Sequence, residues 1–296
     1  MTRYGGEMKA IKIVASITAC LFLLAASCSA SIQRIGAGLY AYVSTNDASA
    51  NSVFLVSESG ILVVDTGLNA AEGIVLLNEI RKISDAPVRW IVNTHYHPDH
   101  RGGNFAVGPR AVIISTAYTR DKVTHDDPQQ YALNITVRQE LTLWVGGHEV
   151  RIFHPGPAHT MGDLMVYFPD QQAIATGDLF LTNSCPAMDE GDMENWIVAL
   201  GGVLGLPVEH IVPGHFAVAT KNDLRHFYNY LSDLREQVLA MHRRGLTVEQ
   251  VKQQVALPAY AYFRQFPKYQ ATFADNAEAY YHQLEQRKQR LRRRER

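Results

Sequence analysis

Four side chains of types that commonly bind metal ions lie in one run of six residues, HYHPDH at positions 95–100. Zinc accepts imidazole nitrogen and carboxylate oxygen, so His95, His97, Asp99 and His100 are all suitable ligands. His95 and His97 are two residues apart, so on an extended segment both project to the same side and reach one ion. Asp99 and His100 follow a proline, in a turn that directs them towards a second ion nearby. The run therefore predicts a site for two neighbouring metal ions.

Three further candidate ligands stand far from this run in the sequence. They are His159, Asp178 and His215, and each follows a predicted strand and has a glycine or proline close by. Loops at strand ends are where binding residues are often placed on a rigid scaffold. We therefore expect these three side chains to point into the same cleft as the HYHPDH run.

The segments around the run indicate how it is positioned. Residues 60–67 form an apolar strand that ends in a turn, residues 70–83 show apolar side chains at helical spacing, and residues 88–92 form the next strand. A strand, a crossover helix and a second strand imply a parallel pair of strands. Ligands of such sheets bind at the carboxyl ends of the strands, which is where Asp65 and His95 lie.

The rest of the chain predicts a second sheet and a helical end. Residues 140–145 and 149–154 form a hairpin across two glycines. Further strands and helices follow the same rules of periodicity. The additional strands are expected at 37–43, 52–56, 164–168, 173–176 and 211–212, and the additional helices at 195–204, 223–243, 248–255 and 276–290. The expected fold class is α/β, with two mixed sheets flanked by helices.

Taken together, these blocks resemble the metallo-β-lactamase superfamily over about residues 36–236. The resemblance implies an αββα sandwich with metal ions at one edge of the two sheets. It also implies two Zn2+ ions per chain, with iron or manganese left open. The implied ligands are His95, His97 and His159 for zinc 1, Asp99, His100 and His215 for zinc 2, and Asp178 as a bridge between the two ions.

Two aspartates bear on the branch of the superfamily that the chain resembles and on the positioning of its ligands. True class B1 β-lactamases have cysteine where this chain has Asp178, so the chain resembles the glyoxalase II-like, lactonase-like and phosphodiesterase-like branch more closely. Asp65, in the block VDTG at 64–67, either orients a ligand histidine or serves as a structural turn residue. The sequence leaves both roles of Asp65 open.

The expected function is that of an exported dinuclear zinc hydrolase acting on a small-molecule substrate. A hydroxide that bridges the two ions would attack an ester, thioester, lactone or β-lactam bond. Asp99 is the expected catalytic residue, because it can accept a hydrogen bond from the nucleophile as well as bind metal. The alternatives are an iron-dependent sulfur dioxygenase of the same fold and a non-enzymatic periplasmic metal-binding accessory protein. No motif names the substrate-binding residues.

The N-terminus predicts export to a bacterial periplasm. Lys9 and Lys12 precede an apolar run at 13–26, and small residues follow it. The run is shorter than a typical membrane-spanning helix. Cys28 lies in a segment that resembles a lipobox, so the exported protein is either released in soluble form or attached to the membrane by a lipid on Cys28.

Charge and cysteine content complete the expectations. The last ten residues contain seven Lys or Arg and one Glu. This basic tail is either a solvated helix end or a contact for anionic lipid or a partner, and nucleic-acid binding is not expected because the body is acidic. Cys185 is the cysteine of the folded body, so no disulfide is expected there unless Cys28 survives unmodified. The predicted units are a signal peptide at 1–30, the main domain at 32–236 and a helical extension at 237–296.

Overall fold

The computed structural model describes residues 31–126, 134–265 and 271–294. The strand–helix–strand unit predicted before the histidine run is present as β4 (Gly60–Val64), α1 (Ala70–Arg81) and β5 (Val88–Val92), and β4 and β5 are parallel. The side chain of Asn69 caps α1 by accepting a hydrogen bond from the backbone N–H of Glu72 at 3.1 Å. The carboxyl ends of β4 and β5 therefore meet at one edge of the sheet.

These two strands belong to a seven-stranded sheet, in which the strands follow the order of the chain. The first four are linked by antiparallel pairing, and the last four by parallel pairing. Besides β4 and β5, the strands are β1 (Ser31–Arg34), β2 (Leu39–Val43), β3 (Ser52–Ser57), β6 (Val112–Thr116) and β7 (Asn134–Val137).

A five-stranded sheet packs against the first. From one edge to the other, its strands are β13 (His210–His215), β11 (Ala173–Leu181), β10 (Met165–Phe168), β9 (His148–Phe153) and β8 (Glu140–Val145). Its outer pair, β11 and β13, is parallel, so the carboxyl ends of these two strands also point in one direction. A separate small parallel pair is formed by β12 (Ser184–Cys185) and β14 (Arg264–Gln265).

Helices cover both outer faces of the sandwich, as the predicted αββα arrangement requires. Short helices lie at the end of the histidine run, directly after that run and after β6, and longer helices cover the second sheet. They are α2 (Pro98–Arg101), α3 (Asn104–Val107), α4 (Ala117–Asp126), α5 (Met193–Gly205), α6 (Lys221–Arg243), α7 (Val248–Gln254) and α8 (Phe273–Arg294). Single 3-10 turns lie at Pro169–Gln171 and Pro258–Tyr260.

Three layers of buried apolar side chains hold the sandwich together. Alternating residues of the two sheets, such as Leu55 and Leu62 on one side and Ile152 and Val166 on the other, form the central layer. A second layer lies between the first sheet and α1, α3 and α4. The third lies between the second sheet and the C-terminal helices, and includes Trp196. Burial of this kind is the main favourable term in folding.

The structure corrects several predicted boundaries. Asp178 lies inside β11, because that strand continues to Leu181 through parallel pairing with β13. His215 is the last residue of β13, and Asp99 and His100 lie in the one-turn helix α2. The predicted helical end is interrupted by a short strand, since β14 lies between α7 and α8. In addition, β1, β6, β7 and α4 had no counterpart among the predicted elements.

The extension predicted at 237–296 begins within α6, and its helices α7 and α8 pack with α6. The segment predicted for export, residues 1–30, lies outside the described residues. Within the described part of the chain, none of the helices combines the length and the apolar character that crossing a membrane requires.

Candidate metal centre

Three histidines converge at the carboxyl ends of the strands. The Nε2 atom of His95 lies 2.9 Å from Nδ1 of His97, and that same Nδ1 atom lies 3.2 Å from Nε2 of His159. His95 and His159 are buried, while His97 is partly exposed. The first three predicted ligands therefore form one group, and His97 is the member closest to solvent.

A second group lies beside the first. The Oδ2 atom of Asp99 is 3.3 Å from Nε2 of His215 and 3.7 Å from Nε2 of His100. All three side chains are buried, although they belong to α2 and β13, which are distant in the sequence. The structure thus brings together the second set of predicted ligands.

Asp178 faces both groups, with a different oxygen atom towards each. Its Oδ2 atom lies 3.6 Å from Nε2 of His159 in the first group. Its Oδ1 atom lies 3.2 Å from Nε2 of His100 and 3.5 Å from Nε2 of His215 in the second. The ligand atoms of each four-residue group lie within 4.8 Å of one another.

These distances fit tetrahedral metal sites. Ligand atoms held about 2.0–2.1 Å from a tetrahedral zinc ion stand about 3.3 Å apart. The separations above, 2.9 to 3.7 Å, scatter around that value. In the described part of the chain, Nε2 of His100 and Oδ1 of Asp178 are buried atoms that make no hydrogen bond of good geometry. Buried polar atoms of this kind need a partner, and a metal ion at this position would supply one.

Neighbouring groups fix the orientation of three of the imidazoles. Nδ1 of His100 donates to Oδ2 of Asp65 at 2.7 Å, and Nδ1 of His159 donates to the carbonyl of Ala187 at 3.2 Å, because both partners only accept. Nδ1 of His95 lies 3.1 Å from the hydroxyl of Thr94. With Nδ1 engaged in this way, Nε2 of each ring is the atom that faces the centre.

The electrostatics favour a positive charge between the two groups. Burial and the surrounding imidazoles lower the pKa of His95 well below its usual range, and burial lowers that of His97 to about 3. Both rings are therefore neutral at physiological pH, the form that binds metal. Burial opposes protonation of His100, but Asp178 and Asp65 raise its pKa well above the usual value. The two carboxylates thus attract a cation to this ring.

The family follows from a comparison with known protein families. The family model that matches this sequence is that of the metallo-beta-lactamase superfamily. It covers residues 45–215, more than half of the chain. The chain belongs to this superfamily. All seven predicted ligands lie within the matched residues.

Relatives within the metallo-beta-lactamase superfamily differ in their names. The chain is 32% identical to a hydroxyacylglutathione hydrolase of Hyphomonas neptunium over 162 residues, which are 53% of this chain and 58% of that protein. It is 24% identical to a type 2 metallo-beta-lactamase of Elizabethkingia meningoseptica, over 70% of this chain and 86% of that one. A solved stereoselective inverting sec-alkylsulfatase from a Pseudomonas species superposes with a TM-score of 0.71 at 15% identity, over 86% of this chain and 50% of that structure. The chain thus spans little more than half the length of the hydroxyacylglutathione hydrolase and half the length of the sulfatase.

Two glycines allow the superfamily site to assemble. A Cβ atom on Gly214 would lie 1.9 Å from Oδ1 of Asp178, so only glycine lets β13 pass this close to that carboxylate. Gly177 has a positive φ of 51°, and a Cβ there would lie 2.6 Å from the hydroxyl of Thr94. The glycines beside the predicted ligands are therefore needed for close packing around Asp178.

Sequence reasoning missed the residues that support the ligands. Asp163 is buried and accepts hydrogen bonds from the backbone and hydroxyl of Thr160 and from the backbone of Ala158, on both sides of His159. Burial raises the pKa of Asp163. Thr94 and the carbonyl of Ala187 were also missed. The position of Thr94 directly before His95 was the one available signal, since a backbone carbonyl leaves no trace in residue type.

Two further residues of types that can bind metal lie outside both ligand groups. Cys185 is buried in the apolar layer beside the C-terminal helices. His154 has its Nδ1 2.7 Å from the carbonyl of Asp163.

Proposed function

We propose that the chain is a hydrolase that binds two zinc ions and is exported from a bacterial cytoplasm. The observation that carries the two-metal proposal is the position of Asp178, which turns one oxygen towards each histidine group at 3.2 to 3.6 Å. A carboxylate placed in this way reduces the repulsion between two cations about 3.5–4 Å apart. The aspartate at position 178, where class B1 β-lactamases have cysteine, also supports placing the chain in the hydroxyacylglutathione hydrolase-like branch of the superfamily.

The ligands of zinc 1 would be His95, His97 and His159, those of zinc 2 Asp99, His100 and His215, with Asp178 shared. When bound, two zinc ions lower the pKa of a water molecule towards neutrality and polarise the bond under attack. Residues of the chain position the reactants around this chemistry. The Asp99 carboxylate is a fully buried member of the second group and would accept a hydrogen bond from the nucleophile. The partly exposed His97 marks the side from which substrate enters.

The class of bond is proposed from the site together with the relatives. A thioester is the bond suggested by the hydroxyacylglutathione hydrolase, and a β-lactam the bond suggested by the metallo-beta-lactamase. Esters and lactones share the same attacked carbonyl, and an alkyl sulfate is suggested by the solved sulfatase. We propose a carbonyl substrate, because the Hyphomonas relative, at 32% identity, is by its name a hydrolase of an acyl thioester of glutathione.

Metal analysis combined with a substrate panel tests this proposal. We expect about two zinc equivalents per chain after loading, and hydrolysis of at least one thioester, ester, lactone or β-lactam with equal rates in the presence and absence of oxygen. A second complete ligand group favours this outcome over a one-iron sulfur dioxygenase. Activity that requires oxygen and a single iron would contradict the hydrolase, and tight metal binding without turnover on any substrate would favour the accessory protein.

Export is tested separately. The support for it is the basic flank at Lys9 and Lys12 followed by the apolar run at 13–26. Fractionation of expressing cells should place a shortened protein in the periplasm or at the membrane. Labelling with a radioactive fatty acid should succeed with the native chain and fail with Cys28→Ser if Cys28 is acylated. A full-length protein in the cytoplasm would contradict export in either form.

A further inference from the structure

A cavity opens beside the exposed member of the first ligand group. The ring of Tyr96 packs edge-on against the ring of His97, with 4.6 Å between centroids. Tyr96 also lines a cavity of about 470 Å³, together with Tyr118, Asp121, Lys122 and His125. A substrate held in this cavity would therefore lie next to the metal centre, on the side where His97 reaches solvent.

Lys122 has a defined place in the wall of this cavity. Its Nζ atom lies 5.5 Å from the centroids of both the Tyr96 and the Tyr118 rings. The two rings are themselves arranged edge to face, 6.1 Å apart. An ammonium group is attracted by the negative face of an aromatic ring, and two rings hold it in one region although the side chain is exposed. Lys122 is thus a positioned cation and not a freely moving surface lysine.

The positive charge of Lys122 is not paired with any of the acidic side chains that the structure describes. Within the ranges that the structure describes, no carboxylate forms an ion pair with its Nζ atom. The nearby acids have other partners: Glu190 accepts hydrogen bonds from the hydroxyls of Tyr96 and Tyr118, and Asp121 lies 3.4 Å from Nη1 of Arg120. The two ring faces do not engage all three ammonium protons of Lys122, so the remaining protons can hydrogen-bond to an anion.

We propose that Lys122 binds an anionic group of the substrate, so that the enzyme prefers carbonyl substrates that carry a carboxylate or a similar oxyanion. This inference rests on the proposed function, and it adds the class of substrate to it. The two tyrosine rings would pack against the apolar part of the substrate between the anion and the bond that is cleaved. The charge of Lys122 would then lower KM more than it raises kcat, because it contacts a part of the substrate that does not react.

Two pairs of probes test the inference on the zinc-loaded full chain. The first pair is adipate and adipamide, whose binding is measured by calorimetry and needs no turnover. The second is the mono-4-nitrophenyl ester of adipic acid and the matching ester whose far end is a carboxamide. The variants are Lys122→Gln, Lys122→Arg and, as a matched control, Lys82→Gln, which removes an equal charge from an exposed ion pair with Glu79 just after α1. Equal zinc content in all variants shows that the centre is intact.

We expect the wild-type protein to prefer the charged member of each pair. In Lys122→Gln this preference should fall on the order of fivefold, mainly through KM and the dissociation constant, as for a partly exposed ion pair. Lys122→Arg should keep most of it, since guanidinium also packs on rings and binds carboxylate, and Lys82→Gln should keep all of it. An undiminished preference in Lys122→Gln would overturn the inference while hydrolysis of the esters still supports the proposed function. Binding that depends on Lys122 without cleavage of either ester would instead count against the hydrolase alone.

Discussion

The Asp65 carboxylate lies 2.7 Å from Nδ1 of His100 and also accepts hydrogen bonds from the backbone and hydroxyl of Thr94, at 2.8 and 2.7 Å. Asp65 has a positive φ of 55°, a conformation that aspartate and asparagine adopt more readily than most residues. The residue therefore fills both roles that the sequence left open, since it forms the turn after β4 and orients a candidate ligand.

Replacing Asp65 by Asn should weaken the second metal group. The asparagine keeps the turn, but it offers His100 a neutral acceptor in place of a carboxylate. We expect metal affinity and turnover to fall about 10- to 100-fold, as is usual when a partner of a ligand histidine is lost. Zinc titration by calorimetry measures this, and Asp170→Asn, in a surface pair with His148, serves as control. Native affinity in Asp65→Asn would show that the contact is only structural.

His97→Ala should remove one of the two metal ions. His97 contributes the Nδ1 atom that lies 2.9 and 3.2 Å from the other two imidazoles of its group. Without it, the first group keeps two imidazoles and a share of Asp178, so zinc content should fall from about two to about one equivalent and turnover should fall with it. As a control, His226→Ala replaces an exposed histidine on α6 and should change neither the zinc content nor the turnover. Two tightly held ions in His97→Ala would contradict the assignment.

The sequence predicts which candidate ligands come together, because their side-chain chemistry and the short spacing of the HYHPDH run are local properties. Seven ligands could be proposed before the fold was known, and the structure brings all seven together. The orientation of those ligands depends on groups whose role is set by the fold. The carbonyl of Ala187 accepts from His159 across 28 positions of the chain, and any residue type would offer that carbonyl.

Several strands, strand ends and helices could not be predicted from the sequence or were overlooked, and the physical reason differs from one to the next. The run VIIST of β6 is apolar and β-branched, so its signal was present in the sequence. In α4 polar residues dominate and no apolar stripe appears, so periodicity could not find it. The predicted strand at 173–176 ends just before Gly177 and Asp178, but parallel pairing with β13 continues β11 to Leu181 through shifts of register on either side of Gly177. Tertiary pairing therefore overrides a local signal at the residue that matters most for the site.

The C-terminal helix α8 is expected to stabilise the loop behind His159. The side chain of Gln283 accepts from the backbone of Met193 at 3.1 Å and donates to the carbonyl of Gly191 at 2.8 Å, while the backbone of Asp192 donates to Ala158. Gln283→Ala should lower the free energy of unfolding by about 1–3 kcal/mol, because two backbone groups lose their partners. Urea unfolding measures the change, and Gln286→Ala, exposed on the same helix, should stay within about 0.5 kcal/mol of the native protein. Equal stability of the two variants would show that α8 does not support this loop.

Cys185 should be inert in the folded protein. The residue is 3% exposed, and burial raises the pKa of its thiol to about 12. Since the thiolate is the reactive form, and since its population at pH 8 falls as the pKa rises, iodoacetamide should not modify Cys185 until the chain is unfolded. Peptide mapping by mass spectrometry separates this residue from Cys20 and Cys28. Rapid labelling of Cys185 at pH 8 in the native protein would contradict its buried position.

Asp178→Asn provides the sharpest test of the two-metal proposal. The substitution keeps the shape of a side chain whose Oδ1 lies 3.2 Å from His100 and whose Oδ2 lies 3.6 Å from His159, but removes the negative charge between the groups. Two cations would then repel each other across a short gap. The second group should empty first, because it retains only two imidazoles and one carboxylate, whereas the first retains three imidazoles. We expect one zinc equivalent by calorimetric titration and a loss of turnover of about 10- to 100-fold.

The control for Asp178→Asn is Asp170→Asn, which should still bind two ions. Two equivalents with native affinity in Asp178→Asn would show that the carboxylate is not a bridge, and a one-metal centre, as in the dioxygenase alternative, would then explain the site better.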